Sequence, residues 1–209
     1  MSVVIFDHPL IKHKVALLRD KHTHTNQFRE LIEEITTLMA FEALNDIPTK
    51  EVSVATPLET TTQTVVVENS VAIIPILRAG LGMVNGIHTL LPTAKVGHIG
   101  MYRDHDTLQP KEYYCKLPEK INEKICIIID PMLATGGSAV AAIDLLKKHG
   151  AKKIKLMNII AAPVGIEAVQ KAHPDVQIYV AHYANAPLNE HGYIVTAFGD
   201  AGDRIFGTK

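Results

Sequence analysis

The stretch Ile127-Ile128-Ile129-Asp130-Pro131-Met132-Leu133-Ala134-Thr135-Gly136-Gly137-Ser138 passes from apolar residues into a carboxylate, then into small and hydroxyl-bearing residues. If the apolar run is a strand of an open parallel sheet, Asp130 falls outside its carboxyl end, where such sheets bind ligands. A loop of Thr, Gly and Ser opening a helix presents free backbone N–H groups and the positive end of the helix dipole, which together suit a phosphate. An ordinary strand–turn–helix with an Asp in its turn is the plainer alternative. The segment is no Walker loop, because it lacks the Gly-Lys-Ser/Thr ending. Gly80 and Gly82 begin a dinucleotide-like pattern, but the third glycine stands at 86, one place late, and the next strand ends in Met101-Tyr102-Arg103 without an acidic residue for a ribose.

Two arginines extend the anion theme. Pro75-Ile76-Leu77-Arg78-Ala79-Gly80-Leu81-Gly82-Met83 is a buried run ending in Arg78, with glycines that admit close backbone approach. Tyr102-Arg103-Asp104 closes the next apolar run. Two arginines at neighbouring strand ends could grip a pyrophosphate, each charge-assisted contact being worth roughly 1.5–3 kcal/mol. Further on, Gly192-Tyr193-Ile194-Val195 and Phe198-Gly199-Asp200-Ala201-Gly202-Asp203-Arg204 could offer main-chain donors and acceptors to a flat polar ring, or form a structural turn.

The elements that would position these groups are legible in the apolar pattern. Runs at 71–77, 96–101, 125–129, 154–160 and 176–181 read as buried strands, with helix-like segments at 81–91, 138–149 and 164–172 between them. Strand alternating with helix predicts an α/β fold with a parallel sheet. Positions 25–44 carry apolar residues at helical spacing, with Thr25 as the expected N-cap and Pro48 beyond the end. Residues 52–67 are Thr-rich and partly alternating, like an antiparallel arm. The stretch between 101 and 125 is polar and predicts a mobile loop or hairpin, of which Asp104 to Lys111 is expected to close over the site and exclude water. The tail 183–209 shows no clear helix.

The composition agrees. With 47% hydrophobic residues, 5% aromatic and no Trp, the core is built from Val, Ile, Leu and Ala, as suits a sheet covered by helices. A net charge of -1 argues against a broad nucleic-acid or membrane surface. The first 18 residues hold Asp7, His8, Lys12, His13 and Lys14 among the apolar ones and do not read as a signal peptide. Cys115 and Cys126 form no C-x-x-C pair, so the expected compartment is the cytoplasm. The eleven histidines are scattered, with His22-Thr23-His24 the only tight pair, which is poor zinc spacing.

The segment 130–138 resembles the phosphoribosyl-pyrophosphate loop of the type I phosphoribosyltransferases, and its Asp-Pro-Met-Leu-Ala-Thr-Gly-Gly-Ser form resembles the uracil-specific branch. Segments 75–83, Gly97-His98-Ile99-Gly100 with 102–104, 112–118, 199–208, Arg19-Asp20-Lys21 and Phe28-Arg29-Glu30 are similar to that branch too, in order, so the resemblance covers nearly the whole chain. It implies one domain over 1–209: a five-stranded parallel sheet flanked by helices at about 70–181, with a hood and a β-arm from about 1–69 and 182–209. It implies transfer of the phosphoribosyl group of 5-phosphoribosyl 1-pyrophosphate (PRPP) to uracil, giving UMP and diphosphate. Asp130, Arg103 and Asp200 would be catalytic. PRPP would be held by Arg78, Arg103, Asp130, Pro131, Met132, Leu133, Ala134, Thr135, Gly136, Gly137, Ser138 and Asp200, and uracil by Ile194, Gly199, Asp200 and Ala201. Mg2+ would enter through pyrophosphate and water, without a protein metal site. GTP is a candidate activator, and a homodimer or larger assembly is implied.

The chain departs from the branch at Thr196-Ala197-Phe198, where Pro-Gly-Leu is usual, and at Ala184, where Asp is usual. A phosphoribosyltransferase with another base preference and a non-catalytic sensor of PRPP or UMP are the alternative functions. A sensor acting on nucleic acid would need a basic face.

Overall fold

The computed structural model describes residues 3–103 and 110–208. Its strands and helices follow in chain order: β1 (Val3–Ile5), α1 (Pro9–Arg19), α2 (Thr25–Ala43), β2 (Thr49–Ala55), β3 (Thr60–Val66), β4 (Val71–Leu77), α3 (Val84–Leu90), β5 (Lys95–Val96), β6 (His98–Arg103), β7 (Pro110–Lys116), β8 (Ile125–Ile129), β9 (Met132–Leu133), α4 (Gly137–Lys148), β10 (Lys153–Ala161), α5 (Pro163–Ala172), β11 (Gln177–Tyr183) and α6 (Ala201–Phe206).

The main sheet runs β1-β11-β10-β8-β4-β6-β7, parallel throughout except for β7, which returns antiparallel to β6. Its centre is the five expected strands, extended by β1 on one edge and β7 on the other. Burial on both faces is why these strands read as continuous apolar runs. The pleat divides their side chains between two cores. Val71, Ile73, Ile127, Ile129, Met157 and Tyr179 join the core that α1, α2, α3 and α6 cover. Ala72, Ile74, Cys126, Ile128, Leu156 and Ile178 join the core under α4 and α5. Two residues of β10 break the pattern, Asn158 at 0% exposure and Lys155 at 6%, whose ammonium donates to the Ala43 carbonyl (2.7 Å) and pairs with Asp46 just past α2. The Tyr179 ring lies 5.7 Å from that ammonium.

Several elements differ from the expectation. β1 has only three residues, too few for a pattern. Thr25 is the first residue of α2 instead of its cap. The cap position is His24, whose carbonyl accepts the first helical bond from Phe28 (2.8 Å). The expected helix at 81–91 begins earlier, as a 3-10 turn over Ala79–Met83 that leads into α3. The tail does contain a helix. α6 has six residues, too short for periodicity to reveal, but its caps are explicit: Asp200 Oδ1 accepts from the Asp203 N–H at 2.9 Å, and Gly207 ends it at φ 66°.

The 101–125 stretch forms the hairpin β6–β7, with a register shift between Gly100 and Met101. Of the expected closing loop, Asp104 to Lys111, residues 104–109 lie outside the described residues. The arm is the antiparallel pair β2–β3, with Leu58 at its turn 97% exposed.

Candidate active site

Pairing of β8 with β4, and of β4 with β6, sets the ends of three adjacent strands side by side, with Pro75 opposite Ile129 and Leu77 opposite Gly100. Asp130 follows β8, Arg78 follows β4, and Arg103 ends β6. Of Arg103 only the backbone position is described. Packing is tight here: a Cβ on Gly80 would come within 2.5 Å of the Ile129 carbonyl oxygen, so the turn after Arg78 rests directly on β8. The Leu77–Arg78 peptide is cis.

A cleft of about 600 Å³ opens at these ends. Asp130, Met132, Leu133, Ala134, Thr135, Gly136 and Ser138 line one side, and Tyr193, Asp200, Ala201 and Gly202 from the tail line the other. Gly136 occupies the N-cap of α4 at φ 85° and has no side chain to cap that helix. The Gly137 N–H donates to the Thr135 hydroxyl at 3.4 Å, and the amides of this first turn face the cleft, where the helix start suits an anion. A side chain on Gly136 would be strained at that φ and would press on Ala168 and on the Gly165 carbonyl oxygen.

Asp130 keeps a partly exposed edge on the cleft while protein surrounds its carboxyl. Burial pushes that carboxyl up to about 7; the Met132 N–H acts against the rise, and the Asp200 charge adds to it. Behind it, the Asn158 amide donates to the Asp130 carbonyl at 2.7 Å. The second carboxylate is fixed as well: Asp200 Oδ2 accepts from the Tyr193 hydroxyl at 3.0 Å, while its Oδ1 caps α6.

Other expected site residues lie off the cleft lining. Pro131 is buried, and its carbonyl accepts from the N–H groups of Ile159 and Ile160. Gly137 begins α4. Arg78 is half-exposed beside the cleft, bonded to Asp203 (3.1 Å) and Thr208 (3.4 Å). Ile194 points its side chain into the core at 3% exposure, and its carbonyl accepts from the Ala197 N–H (3.0 Å). Gly199 is exposed at φ 78° with open space around it. Tyr193, His191 and Gly202 line the cleft without having been singled out, although they stand beside residues that were.

Arg204 was quoted only as the end of a motif. Its guanidinium donates to the carbonyls of Leu18 (3.0 Å), Asp20 (2.7 Å), Thr23 (3.1 Å) and Phe198 (3.2 Å), and lies 4.3 Å from the Phe28 ring centroid. It therefore locks the tail to the N-terminal helices. Phe198 meets Phe28 edge-on at 5.5 Å, so the departure from Leu at this position fills the core with a ring. Ala184, the other departure, is buried at the end of β11. Arg204→Ala should cost at least ~3 kcal/mol, because four carbonyls, three of them in part-buried contacts, lose a charged donor at once and the Phe28 ring loses its cation. The thermal midpoint should fall by roughly 6–12 °C. A change of under ~2 °C would mean that the tail is held by other contacts.

The class of protein is visible in structural likeness. The adenine phosphoribosyl transferase of Trypanosoma brucei, solved with AMP, pyrophosphate and ribose-5-phosphate, matches 95% of this chain and 87% of its own at TM-score 0.59 and 12% identity. The fold is thus that of the type I phosphoribosyltransferases. A solved protein of Aquifex aeolicus is nearer, with TM-score 0.93 and 38% identity over 100% of this chain and 99% of that one. The chain belongs to the uracil phosphoribosyltransferase family, whose model matches residues 4–208. A uracil phosphoribosyltransferase of Anoxybacillus flavithermus is 61% identical over 208 residues, covering 100% of this chain and 99% of that one.

Proposed function

We propose that this chain, as one catalytic domain, transfers the phosphoribosyl group of PRPP to uracil, forming UMP and releasing diphosphate. The observation that carries the reading is the joining of Asp130, the start of α4 and the Asp200 segment of the tail in one cleft. The 5-phosphate sits on the N–H groups from Ala134 to Ser138 and on the hydroxyls of Thr135 and Ser138. Asp130 holds the ribose hydroxyls beside C1. The C1–O bond to diphosphate breaks as the sugar gains oxocarbenium character, a ring nitrogen of uracil bonds to C1, and that nitrogen loses its proton. Protein contributes positioning and preorganised charge more than covalent chemistry. Main-chain groups at Ile194, Gly199 and Ala201 read the base, with Asp200 between base and diphosphate.

Two carboxylates near enough that one raises the other's pKa are a donor set suited to a hard divalent cation. Asp130 and Asp200 would hold Mg2+ through PRPP oxygens and water, and the ion would offset charge on the leaving diphosphate. A cytoplasmic location, a homodimer or larger assembly, and activation by GTP accompany this reading as proposals. The direct test offers PRPP with uracil, cytosine, adenine, guanine and hypoxanthine in turn and follows the nucleotide formed. UMP from uracil is the expected product, and preferential use of a purine would overturn the reading.

Arg78 supplies a second test. Its guanidinium already pairs with a carboxylate, Asp203, so the same group can turn to a diphosphate. Arg78→Ala should weaken PRPP and pyrophosphate by at least ~10-fold, the scale of one charge-assisted hydrogen bond, while UMP binding changes much less. Equal losses for all three ligands would make Arg78 a structural residue only.

A further inference from the structure

Asn158 lies in β10 at 0% exposure, and none of the proposed chemistry uses it. Its amide donates to the Asp130 carbonyl at 2.7 Å, while its Oδ1 has no hydrogen-bond partner among the described residues. A buried acceptor left unpaired is destabilising, so an apolar residue of similar size would serve the core at least as well. Packing therefore does not account for an amide at this position.

The strand pairing does. β8 pairs with β10 as far as Ile129 opposite Met157, and β9 resumes with Met132 opposite Ile160. The register is the same on both sides, which leaves Asp130 and Pro131 across from Asn158 and Ile159 where the ladder lapses. The Asp130 N–H still donates to the Met157 carbonyl, at 3.3 Å. Regular parallel bonding would then give the Asp130 carbonyl the N–H of Ile159. That N–H is drawn away: it and the Ile160 N–H both donate to the Pro131 carbonyl, at 3.1 and 3.0 Å. The Asn158 side chain takes its place. Asp130 is thereby tied at three points: by its N–H to Met157, by its carbonyl to Asn158, and by its carboxyl to the Met132 N–H.

We infer that Asn158 is a positioning residue for phosphoribosyl transfer: its amide fixes the Asp130–Pro131 peptide where the ladder lapses, and so sets the Asp130 carboxyl against C1 of PRPP. The role rests on the proposed reading of this cleft as the PRPP and uracil site. Without that amide, the Asp130 carbonyl lacks both its ladder donor and its side-chain donor, and the peptide can turn. The carboxyl turns with it, and a misplacement of about 1 Å at a reacting centre costs on the order of 100-fold in rate. Uracil is read by a separate segment, the tail, so its binding should be unaffected.

Asn158→Leu, close in size and without a donor, tests this in a cycle with Asp130→Asn, each protein being assayed for UMP from PRPP and uracil. Alone, Asn158→Leu should lower kcat at least ~10-fold, with KM for uracil and the thermal midpoint near their parental values. In the Asp130→Asn background the same substitution should lower kcat by less than ~3-fold, because a residue acting through the Asp130 carboxylate has nothing left to position. Equal losses in the two backgrounds, or near-parental kcat in Asn158→Leu, overturn the inference. Should the Leu variant not fold, Asn158→Ala, which cannot clash, takes its place in the cycle with the same deciding outcomes. UMP made by the parent and lost in Asp130→Asn, with no effect at Asn158, overturns the positioning role alone. No UMP from the parent overturns that role and the proposed reaction together.

Discussion

Asp130→Asn should fold normally and lose at least ~100-fold in kcat, the scale of removing one preorganised electrostatic group from a transition state. The amide keeps the size and hydrogen-bonding reach of the carboxyl but carries no charge to set beside the oxocarbenium-like C1. The same variant should gain stability at neutral pH. With its carboxyl pushed up to about 7 from an ordinary 3.8, folded Asp130 retains a proton that the unfolded chain has already released between those values. Stability from this group is therefore intact below about pH 4 and is lost as pH rises through about 7. Asparagine removes that slope, so urea unfolding should show parent and variant alike near pH 4 and the variant more stable at pH 8. Near-normal turnover in a well-folded variant would take Asp130 out of the chemistry, and parallel stability profiles would mean that its carboxyl is not held protonated. Substrates that draw the ionised form should release protons on binding at pH 6.

Uracil should be used over cytosine by up to ~10⁴ in kcat/KM, the discrimination expected where a mismatch strands polar groups. Uracil presents O2, N3–H and O4, whereas cytosine reverses the pattern at N3 and position 4. If the readers are main-chain groups near Ile194 and Gly199, the wrong base leaves donors facing donors. The backbone there is held before any base arrives. Ala197 bonds to the Ile194 carbonyl, the Val195 N–H donates to the Pro187 carbonyl (3.2 Å), and Leu188 bridges to Ile194. A fixed backbone rejects mismatches more strongly than one that can rotate to suit them. A ratio below ~10 would show that base identity is read by side chains or by shape. Thr196 and Phe198 would then be the residues to exchange.

Much of this architecture is written in local chemistry. β4 and β8 fall on the residues of their apolar runs because both faces are buried, so nothing interrupts the run and turn residues close it. The start of α4 is equally local, since Gly136 and Gly137 both permit the turn and begin the helix. Contacts between distant parts of the chain are harder to read. Arg204 finds its partners some 180 residues earlier, and Lys155 looks misplaced in a strand until Asp46 and the Ala43 carbonyl come beside it. β1 and α6 are too short to display a period. Within the cleft, sequence marks which segments gather but not which atoms face inward. Tyr193 lines the cleft, while its neighbour Ile194 turns its side chain to the core.

The anchoring of Arg204 also bears on redesign. The strand ends that would grip PRPP belong to the middle of the chain, while the segment that would read the base belongs to its end. Transplanting residues 184–208 from a relative with another base preference is therefore an obvious way to change substrate. Such a graft would arrive with its anchor cut. The carbonyls of Leu18, Asp20 and Thr23 and the ring of Phe28 are the socket into which this tail plugs, and they would remain those of the recipient. The exchangeable unit is two pieces of sequence, residues 17–28 together with the tail, and a chimera that carries both should tolerate the swap where the tail alone does not.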